Sequence, residues 1–332
     1  MSSNSLTRLL LPDGRQLSAR DDGASLALHL DERALLRARR QGELLVPLEL
    51  ELAEQAEALW LLAYWCFAAE PQRQSLTLRL EQVDPALLNS GLLIAEGDEL
   101  RIERALFWQL PGPFLLNASH AGYPQQMVMH ASGRRYPRRG PKPVGEVYRR
   151  FDGKLGVWIS LRALDIDEDL ARFNRWQNSP RVAAFWQEEG DLDKHRCYLQ
   201  ELLADPRVLP LIGCFDDQPF AYFEAYWAKE DRIAPFYDAG DYDRGIHMLV
   251  GEESHRGPHK VASWLSALTH YLFLDDPRTQ RVVAEPRADN ARMIGHMQTQ
   301  GYHKDKEFHF PHKRAALMIQ SREVFFERCN LA

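Results

Sequence analysis

Apolar and polar positions recur with two different periods along the second half of the chain. Runs with strand character lie at 155–161, 208–216, 218–227, 244–250 and 281–285. Segments with helical spacing lie at 165–178, 191–204, 261–274 and 291–299. The strands 208–216 and 218–227 meet at Asp216-Asp217, which predicts a hairpin. Strands interleaved with helices in this way predict an α/β domain.

The first half has a similar mixture of elements. Strand patterns lie at 6–11, 16–19, 25–30, 75–82 and 91–110, and an amphipathic helix is predicted over about 49–69. Proline, glycine and arginine then concentrate at 132–143, where neither a helix nor a central strand can continue. A chain of 332 residues also exceeds what one core usually serves. We therefore predict a smaller α/β or α+β domain at 1–132, which could be a degenerate copy of the second, a linker at 133–146, and a catalytic domain at 147–332.

Composition excludes several classes of protein. Hydrophobic residues at 45% and charged residues at 27% are typical of a globular chain, and a net charge of −6 disfavours a nucleic-acid surface. The sequence has neither a secretory h-region nor a membrane-spanning apolar run, so we expect a cytoplasmic protein without a membrane partner. The four cysteines are widely spaced, and the histidines lack zinc-ligand spacing, so we expect no metal site.

The segment 244–260 has the pattern of an anion site. An apolar strand is followed by a glycine-containing basic turn and then by the start of a helix, where unpaired N–H groups and the helix dipole favour phosphate. We predict that this site binds a cofactor through Leu249, Val250, Arg256, Gly257, His259 and Lys260. Pro286, directly after the next strand, has no N–H for the sheet, so a gap between the two strands could admit an extended ligand such as pantetheine.

This region resembles the GNAT-type N-acyltransferases. Ser254, Gly257 and His259 occupy the three defining positions of the family's phosphate loop, of which only the middle glycine is kept. The later helix fits the family by spacing, with Asn290 at its start and Gly301-Tyr302 at its end. The resemblance implies a GNAT fold with a mixed, centrally splayed sheet, acetyl-CoA as co-substrate and Asn290 near the cofactor. Met297 stands where the family often has a tyrosine acid.

Blocks along almost the whole chain are similar to the bacterial siderophore acetyltransferases, the N6-hydroxylysine acetyltransferases of aerobactin synthesis above all. The blocks are 105–111, 145–150, 178–182 followed by 185–186, 222–227, 243–247 and 310–314. His309 departs from the aspartate expected before Phe310-Pro311. The resemblance implies acetylation of an N-hydroxylated amine (N6-hydroxylysine, N5-hydroxyornithine or an N-hydroxydiamine) to a hydroxamate, by direct transfer in a ternary complex. The implied pathway partners are an amine N-monooxygenase and a siderophore synthetase.

His247 is the candidate general base, because strand alternation could turn it toward the acceptor. Glu285, on the neighbouring strand, is its candidate partner, as the resemblance also implies. Candidate acceptor-binding residues are Trp176, Trp186, Glu224, Tyr226, Trp227 and Asp243. For each aromatic residue taken alone, a place in the core is the commoner alternative.

Two other functions remain open at this stage. One is acetylation of ordinary amines such as aminoglycosides, which calls for a more acidic acceptor pocket. The other is a non-catalytic acyl-CoA-binding scaffold, which the incomplete phosphate loop and the missing tyrosine favour. The sequence leaves open the acceptor's carbon chain, the acyl group, the role of the first domain and the oligomeric state.

Overall fold

The computed structural model describes residues 8–130, 133–329 and 331. The chain divides into two compact units: one comprises 1–113, 151–156 and 326–332, and the other comprises 114–150 and 157–325. The predicted linker thus belongs to the second unit, and part of it forms a short strand. Residues 6 and 7 of the first predicted strand, and Ser132, lie outside the described residues.

The first unit contains an eight-stranded sheet with the order β1-β2-β3-β4-β5-β6-β8-β7. Its strands are β1 Leu9–Leu10, β2 Gln16–Asp21, β3 Ser25–Leu30, β4 Arg33–Gln41, β5 Leu44–Leu48, β6 Ser75–Leu78, β7 Ile94–Glu96 and β8 Glu99–Glu103. Its helices are α1 Gln55–Ala69, α2 Pro85–Ser90 and α3 Arg104–Phe107. Strands β5 and β6 are parallel because α1 carries the chain back between them.

A two-stranded ribbon, β9 Met127–Met129 with β10 Arg135–Pro137, precedes the second large sheet. The strands of that sheet are β11 Glu146–Asp152, β12 Val157–Ala163, β13 Val208–Phe215, β14 Gln218–Trp227, β15 Arg244–Val250, β16 Arg281–Ala284, β17 His303–His309 and β18 Arg314–Ser321. The helices are α4 Ile166–Gln177, α5 Pro180–Trp186, α6 Leu192–Ala204, α7 Pro258–Asp275, α8 Ala291–Thr299 and α9 Arg322–Arg328.

The second sheet repeats the strand order of the first. It runs β11-β12-β13-β14-β15-β16-β18-β17, and its parallel pair, β15 and β16, is joined by α7 as β5 and β6 are joined by α1. One connection differs: a short turn joins β2 to β3, whereas α4, α5 and α6 lie between β12 and β13. The two halves therefore share one topology, and only the second has the additional helices.

The second sheet is splayed at its centre, as predicted. Strands β15 and β16 pair only at Arg244 with Val282 and at Gly245 with Val283, although β15 continues to Val250. On its other edge β15 stays paired with β14 along its full length. One edge of β15 is thus open beyond Gly245, where its backbone has room for a ligand.

Helix boundaries in the second half agree closely with the sequence prediction because polar caps mark them. The side chains of Asp165, Asp191 and Asn290 cap α4, α6 and α8, each accepting a backbone N–H of the first turn. The predicted hairpin at Asp216-Asp217 is also present, with positive φ at both residues.

The first half agrees less well with prediction. Strands β4 and β5 were not predicted, and α1 begins at Gln55 rather than near 49, because Glu49 has a positive φ of 55° and a single 3₁₀ turn precedes the helix. The predicted strand at 91–110 is interrupted by a turn at Gly97 and ends in α3. Helix α2, which follows the Asp84-Pro85 cap, was also missed.

Two apolar clusters lie on one face of the second sheet. One joins α4, α5 and α6 to β13–β15, with Phe173, Tyr222 and Leu249 among its members. The other surrounds Tyr226 and Phe310. On the opposite face, Trp264 of α7 packs on Phe223 of β14, with ring centroids 5.3 Å apart.

Candidate active site

His247 lies between two carboxylates on neighbouring strands. Its Nδ1 is 2.7 Å from Oε2 of Glu224 on β14, and its Nε2 is 2.7 Å from Oε1 of Glu285, which directly follows β16. The pairing of Glu224 opposite His247 in the β14–β15 ladder produces the first contact. The second contact crosses the opening between β15 and β16. We refer to these three residues as the triad.

The triad is charged. Ionised carboxylates can only accept hydrogen bonds, so both ring nitrogens of His247 carry protons. Burial by itself lowers the pKa of His247, but the charge of Glu285 and the hydrogen bond with Glu224 outweigh it and raise the pKa to about 10. Burial would likewise raise the pKa of Glu285, but the His247 charge dominates and lowers the pKa to about 2. The imidazole is therefore an imidazolium at neutral pH.

Three tyrosine hydroxyls complete the hydrogen bonding of the carboxylates. Tyr198 and Tyr222 donate to Oε1 of Glu224 at 2.5 and 2.9 Å, and Tyr226 donates to Oε2 of Glu285 at 2.7 Å. Both carboxylates are buried, whereas the side chain of His247 is 21% exposed. Burial without solvent, together with fixed donors, holds the triad in one geometry. His247 is the member of the triad that a small molecule can reach.

Two of the predicted acceptor-binding aromatics flank His247. The ring centroid of Tyr226 is 4.7 Å from that of His247, and the centroid of Trp186 is 6.3 Å away in an edge-to-face arrangement. Glu224 also belongs to this site, but it bonds to the imidazole instead of standing free for an ammonium group. Aromatic rings and the triad thus lie side by side around His247.

Three other predicted acceptor residues lie elsewhere. Trp227 follows Tyr226 and, by strand alternation, points to the opposite face, where the guanidinium groups of Arg139 and Arg244 lie over its indole at 4.0 and 4.1 Å. Asp243 forms a 2.8 Å ion pair with Arg281 and accepts the N–H of Gly240, so it stabilises a loop. These contacts give Trp227 and Asp243 partners other than the triad, and their role in binding the acceptor stays a prediction.

Trp176 lies at the end of β15 rather than beside His247. Its indole N–H donates to Glu252 at 2.9 Å, and its ring covers Gly251, where an added Cβ would lie 2.1 Å from the indole. Trp176 therefore supports the turn that leads into α7. A glycine is required at 251 for this close approach.

The predicted phosphate site lies at the start of α7. Gly257 is the residue before the helix, with a φ of 129°, and the first-turn N–H groups of the helix follow it. Arg256 and His259 are exposed there. Lys260 donates to the carbonyl of Ser254 at 3.0 Å and lies 3.1 Å from Nδ1 of His255. Backbone donors and two exposed basic side chains thus occur together within the first residues of α7 and the turn before it.

Strand register distinguishes Val250 from Leu249. The N–H of Gly251 donates to Phe220 of β14 at 2.9 Å, so by alternation Leu249 and His247 also direct their backbone groups toward β14. Val250 then faces the open edge, and its carbonyl accepts from Arg181 at 2.7 Å. The N–H of Val250 is therefore the better placed donor for a ligand in the opening, and Leu249 contributes a buried side chain instead.

At the other predicted cofactor position, Asn290 uses its side-chain oxygen to cap α8, accepting from Met293 N–H at 3.2 Å. This hydrogen bond occupies Oδ1 of Asn290. Met297, at the position where a tyrosine acid was considered, is fully buried. The structure therefore places no acid at position 297.

Sequence reasoning missed several residues around the triad. Tyr198 lies on α6, Arg232 in the loop after β14, and Lys313 in the β17–β18 turn. Lys313 had appeared only within a family block. No periodic pattern marks such loop residues, because their positions depend on how distant segments pack. Among the described residues, no group of histidine, cysteine, aspartate or glutamate has a metal-binding arrangement, and no helix is long and apolar enough to cross a membrane.

Comparisons with known proteins agree with this geometry. Residues 165–310 match the family model described as an acetyltransferase (GNAT) domain. The chain is 47% identical over 231 residues to the N(6)-hydroxylysine O-acetyltransferase of Escherichia coli, covering 69% of this chain and 73% of that protein. It is 33% identical to a hydroxyornithine transacylase of Ajellomyces capsulatus, covering 92% of this chain and 80% of that protein. An uncharacterised protein from Bacillus halodurans superposes with a TM-score of 0.54 at 29% identity, covering 56% of this chain and 95% of that one.

Proposed function

The chain belongs to the GNAT acyltransferase family, and from this premise we propose that it transfers the acetyl group of acetyl-CoA to the nitrogen of an N-hydroxylated amine. The product is a hydroxamate for a siderophore. The observation that carries the proposal is the triad, whose imidazole joins the two splayed strands beside an apolar acceptor wall. The relatives that act on hydroxylysine and hydroxyornithine support this choice of acceptor.

Acetyl-CoA lies with its pyrophosphate at the start of α7 and its pantetheine in the opening beside β15. The residues assigned to it are Val250, Arg256, Gly257, His259 and Lys260. The backbone N–H groups and basic side chains supply donors for the phosphates. The N–H of Val250 faces the thioester oxygen, where negative charge develops during the reaction.

Transfer proceeds directly within a ternary complex. An N-hydroxylated amine is less basic than an alkylamine and is largely uncharged at neutral pH, so its nitrogen can attack the thioester without prior deprotonation. The new C–N bond forms as the carbonyl oxygen gains charge, and collapse of the intermediate then breaks the C–S bond. The enzyme's main contributions are positioning and charge stabilisation.

One proton must move from the attacking nitrogen to the departing CoA sulfur. The sequence interpretation makes His247 the base with Glu285 as its partner, and this stays a prediction. The geometry adds a condition: His247 has no free lone pair while both carboxylates hold it, so it first passes one ring proton to a carboxylate of the triad and the freed ring nitrogen then accepts the proton of the attacking nitrogen. The imidazolium then releases a proton to the thiolate, and the triad returns to its starting state.

The surroundings of the triad disfavour a polycationic acceptor. Arg232 and Lys313 lie 3.8 and 3.9 Å from Oε1 of Glu285, so positive side chains surround the carboxylate that an aminoglycoside amine would need. The buried charges of the triad also favour a catalyst over a binding scaffold, because they are costly to bury. The pathway itself would include an N-monooxygenase that supplies the acceptor and a synthetase that uses the hydroxamate, in the cytoplasm where acetyl-CoA is available.

A thiol-release assay tests the proposal. Purified enzyme with acetyl-CoA should acetylate N6-hydroxylysine or N5-hydroxyornithine far faster than lysine or ornithine. Mass spectrometry combined with ferric-complex absorbance should identify the product as a hydroxamate, which distinguishes N-acylation from O-acylation. Equal turnover of lysine and N6-hydroxylysine would refute the assignment, and so would an O-acetyl product.

A further inference from the structure

Two cationic side chains converge on the carboxylate that holds His247. Arg232 and Lys313 come from different loops, yet each places a nitrogen within 4 Å of Oε1 of Glu285, at 3.8 and 3.9 Å. Both also lie over the ring of Phe310, at 5.3 and 5.6 Å from its centroid. The acceptor side of the triad is therefore lined by an aromatic ring that carries two positive groups.

Contacts with Glu285 alone do not explain why two cationic side chains lie beside it. It already accepts from His247 and Tyr226 at 2.7 Å, and those two contacts are shorter than its contacts with Arg232 and Lys313 by more than 1 Å. A separation near 4 Å leaves a charge attraction without a hydrogen bond. The two cations are thus in position to bind a further anion.

Arg232 has fewer hydrogen-bond partners than Lys313. Its side chain is 51% exposed, and within the described part of the chain its guanidinium forms no hydrogen bond; its contacts are the 3.8 Å ion pair with Glu285 and the ring of Phe310. The preceding Asp231 attracts it only at longer range, because the two side chains form no ion pair within 4 Å and the Asp231 carboxyl accepts the backbone N–H of Ile233 at 3.1 Å. An uncommitted guanidinium fork matches the two oxygens of a carboxylate.

Lys313 is better anchored and supports the same site. Its side chain is 20% exposed, and its Nζ donates to the backbone carbonyl of Glu285 at 2.8 Å. Burial lowers the pKa of Lys313, the charge of Glu285 offsets part of this effect, and the neighbouring Arg232 lowers the pKa again. An arriving anion would relieve the repulsion between these cations, which an acceptor without a negative group could not do.

We propose that the acceptor carries a carboxylate and that Arg232, supported by Lys313, binds it. This inference rests on the proposed function and narrows it to an N-hydroxylated amino acid, in preference to the N-hydroxylated diamine that lacks the carboxylate. The reacting nitrogen lies at the triad while the amino-acid head group lies at the rim formed by Arg232, Lys313 and Phe310. The two cations thereby set the orientation of the chain as well as its identity.

N6-hydroxylysine and N-hydroxycadaverine provide the test, because they differ only by the carboxylate. Wild-type enzyme should show a kcat/KM for N6-hydroxylysine that is larger by about 10- to 100-fold, as expected for a charge-assisted contact. Arg232→Gln should lower kcat/KM for N6-hydroxylysine relative to N-hydroxycadaverine by a similar factor, mainly through KM, so that the preference for the acceptor with a carboxylate is lost. The control Arg33→Gln removes an exposed arginine of the first unit and should change neither value.

The outcomes separate this inference from the function on which it rests. Equal use of both hydroxylamines by the wild type would overturn the carboxylate site and leave the acetyltransferase assignment standing. An equal loss for both acceptors in Arg232→Gln would also overturn it, since that pattern indicates a general structural role. If the enzyme acetylates neither hydroxylamine faster than the parent amines, the proposed function itself fails.

Discussion

Removing one carboxylate of the triad should move the titration of His247. The rise from the ordinary 6.5 to a pKa of about 10 corresponds to about 5 kcal/mol, because each pH unit is worth about 1.4 kcal/mol. Glu224 and Glu285 both lie 2.7 Å from the ring and both raise its pKa, with the charge of Glu285 as the largest raising cause, so removing the Glu224 charge should remove a part of the rise and leave the rest. In Glu224→Gln the pKa of His247 should fall by up to about 2 pH units. The glutamine can still accept from the two tyrosine hydroxyls, which favours retention of the fold.

Nitrogen NMR of ¹⁵N-histidine-labelled enzyme measures this directly. Both ring nitrogens of His247 should show protonated shifts throughout pH 6–8.5 in the wild type, whereas Glu224→Gln should titrate within or just above that range. His247→Gln assigns the signal, and Glu32→Gln, an exposed carboxylate of the first unit, is the matched control. A wild-type imidazole that titrates near its ordinary value would refute the charged triad, and an unchanged titration in Glu224→Gln would refute the share assigned to that carboxylate.

Three further predictions follow from the same structure. Replacing Arg256 and Lys260 together by glutamate should weaken CoA binding at least 10²-fold, since each charge-assisted contact is worth about 1.5–3 kcal/mol. Calorimetry measures the affinity, and an unchanged value would exclude this turn as the phosphate site. Gly245→Ala should lower Tm, because the added Cβ would lie 2.0 Å from a tyrosine ring. In the matched control Gly295→Ala the added Cβ has no atom within 4 Å, so Tm should be unchanged or slightly higher. Equal changes of Tm in the two variants would contradict this packing. Because the pKa of His247 is raised, its protonation stabilises the fold fully below about pH 6.5, and this contribution should disappear as pH rises through about 10. The free energy of unfolding, measured with urea across this pH range, should show the loss in the wild type and not in His247→Gln. Parallel pH dependences in the two proteins would refute the prediction.

The sequence predicted the second unit better than the first because polar caps and turn residues mark its elements. Asp165 and Asp191 fix two helix starts, and Asp216-Asp217 fixes the hairpin. Strand β4 of the first unit was missed because arginines dominate its composition. Its inward positions, Leu36 and Ala38, show the two-residue period of a strand, but two such positions are too few to form a recognisable pattern.

The candidate site was predictable where the chemistry resides on adjoining strands. His247 and Glu285 could be selected from the strand pattern and the family resemblance, and strand alternation separates Tyr226 from Trp227 once the register is known. The contact between Glu224 and His247 depends on that register, which a strand pattern alone does not fix. Arg232 lies in a loop, so no periodicity could connect it to residues more than fifty positions away.

The repeated topology explains why only one unit carries the proposed chemistry. Counting from the parallel pairs, Leu44 with Thr77 and Arg244 with Val282, position 47 of the first sheet corresponds to His247 and position 80 to Glu285. These positions hold Pro47 and Leu80, and Ala38 lies opposite Pro47 where Glu224 lies opposite His247.

The turn before the crossing helix has also changed in character. Where the second unit presents Arg256 and Lys260, the first presents Glu49, Glu51 and Glu54, which repel phosphate from a helix start. The first unit also lacks the helices that form one wall of the acceptor side in the second. The triad, the phosphate turn and the acceptor wall are thus absent together from the described part of the first unit. Their joint absence is expected if the three features act as one site, because none of them would function without the other two.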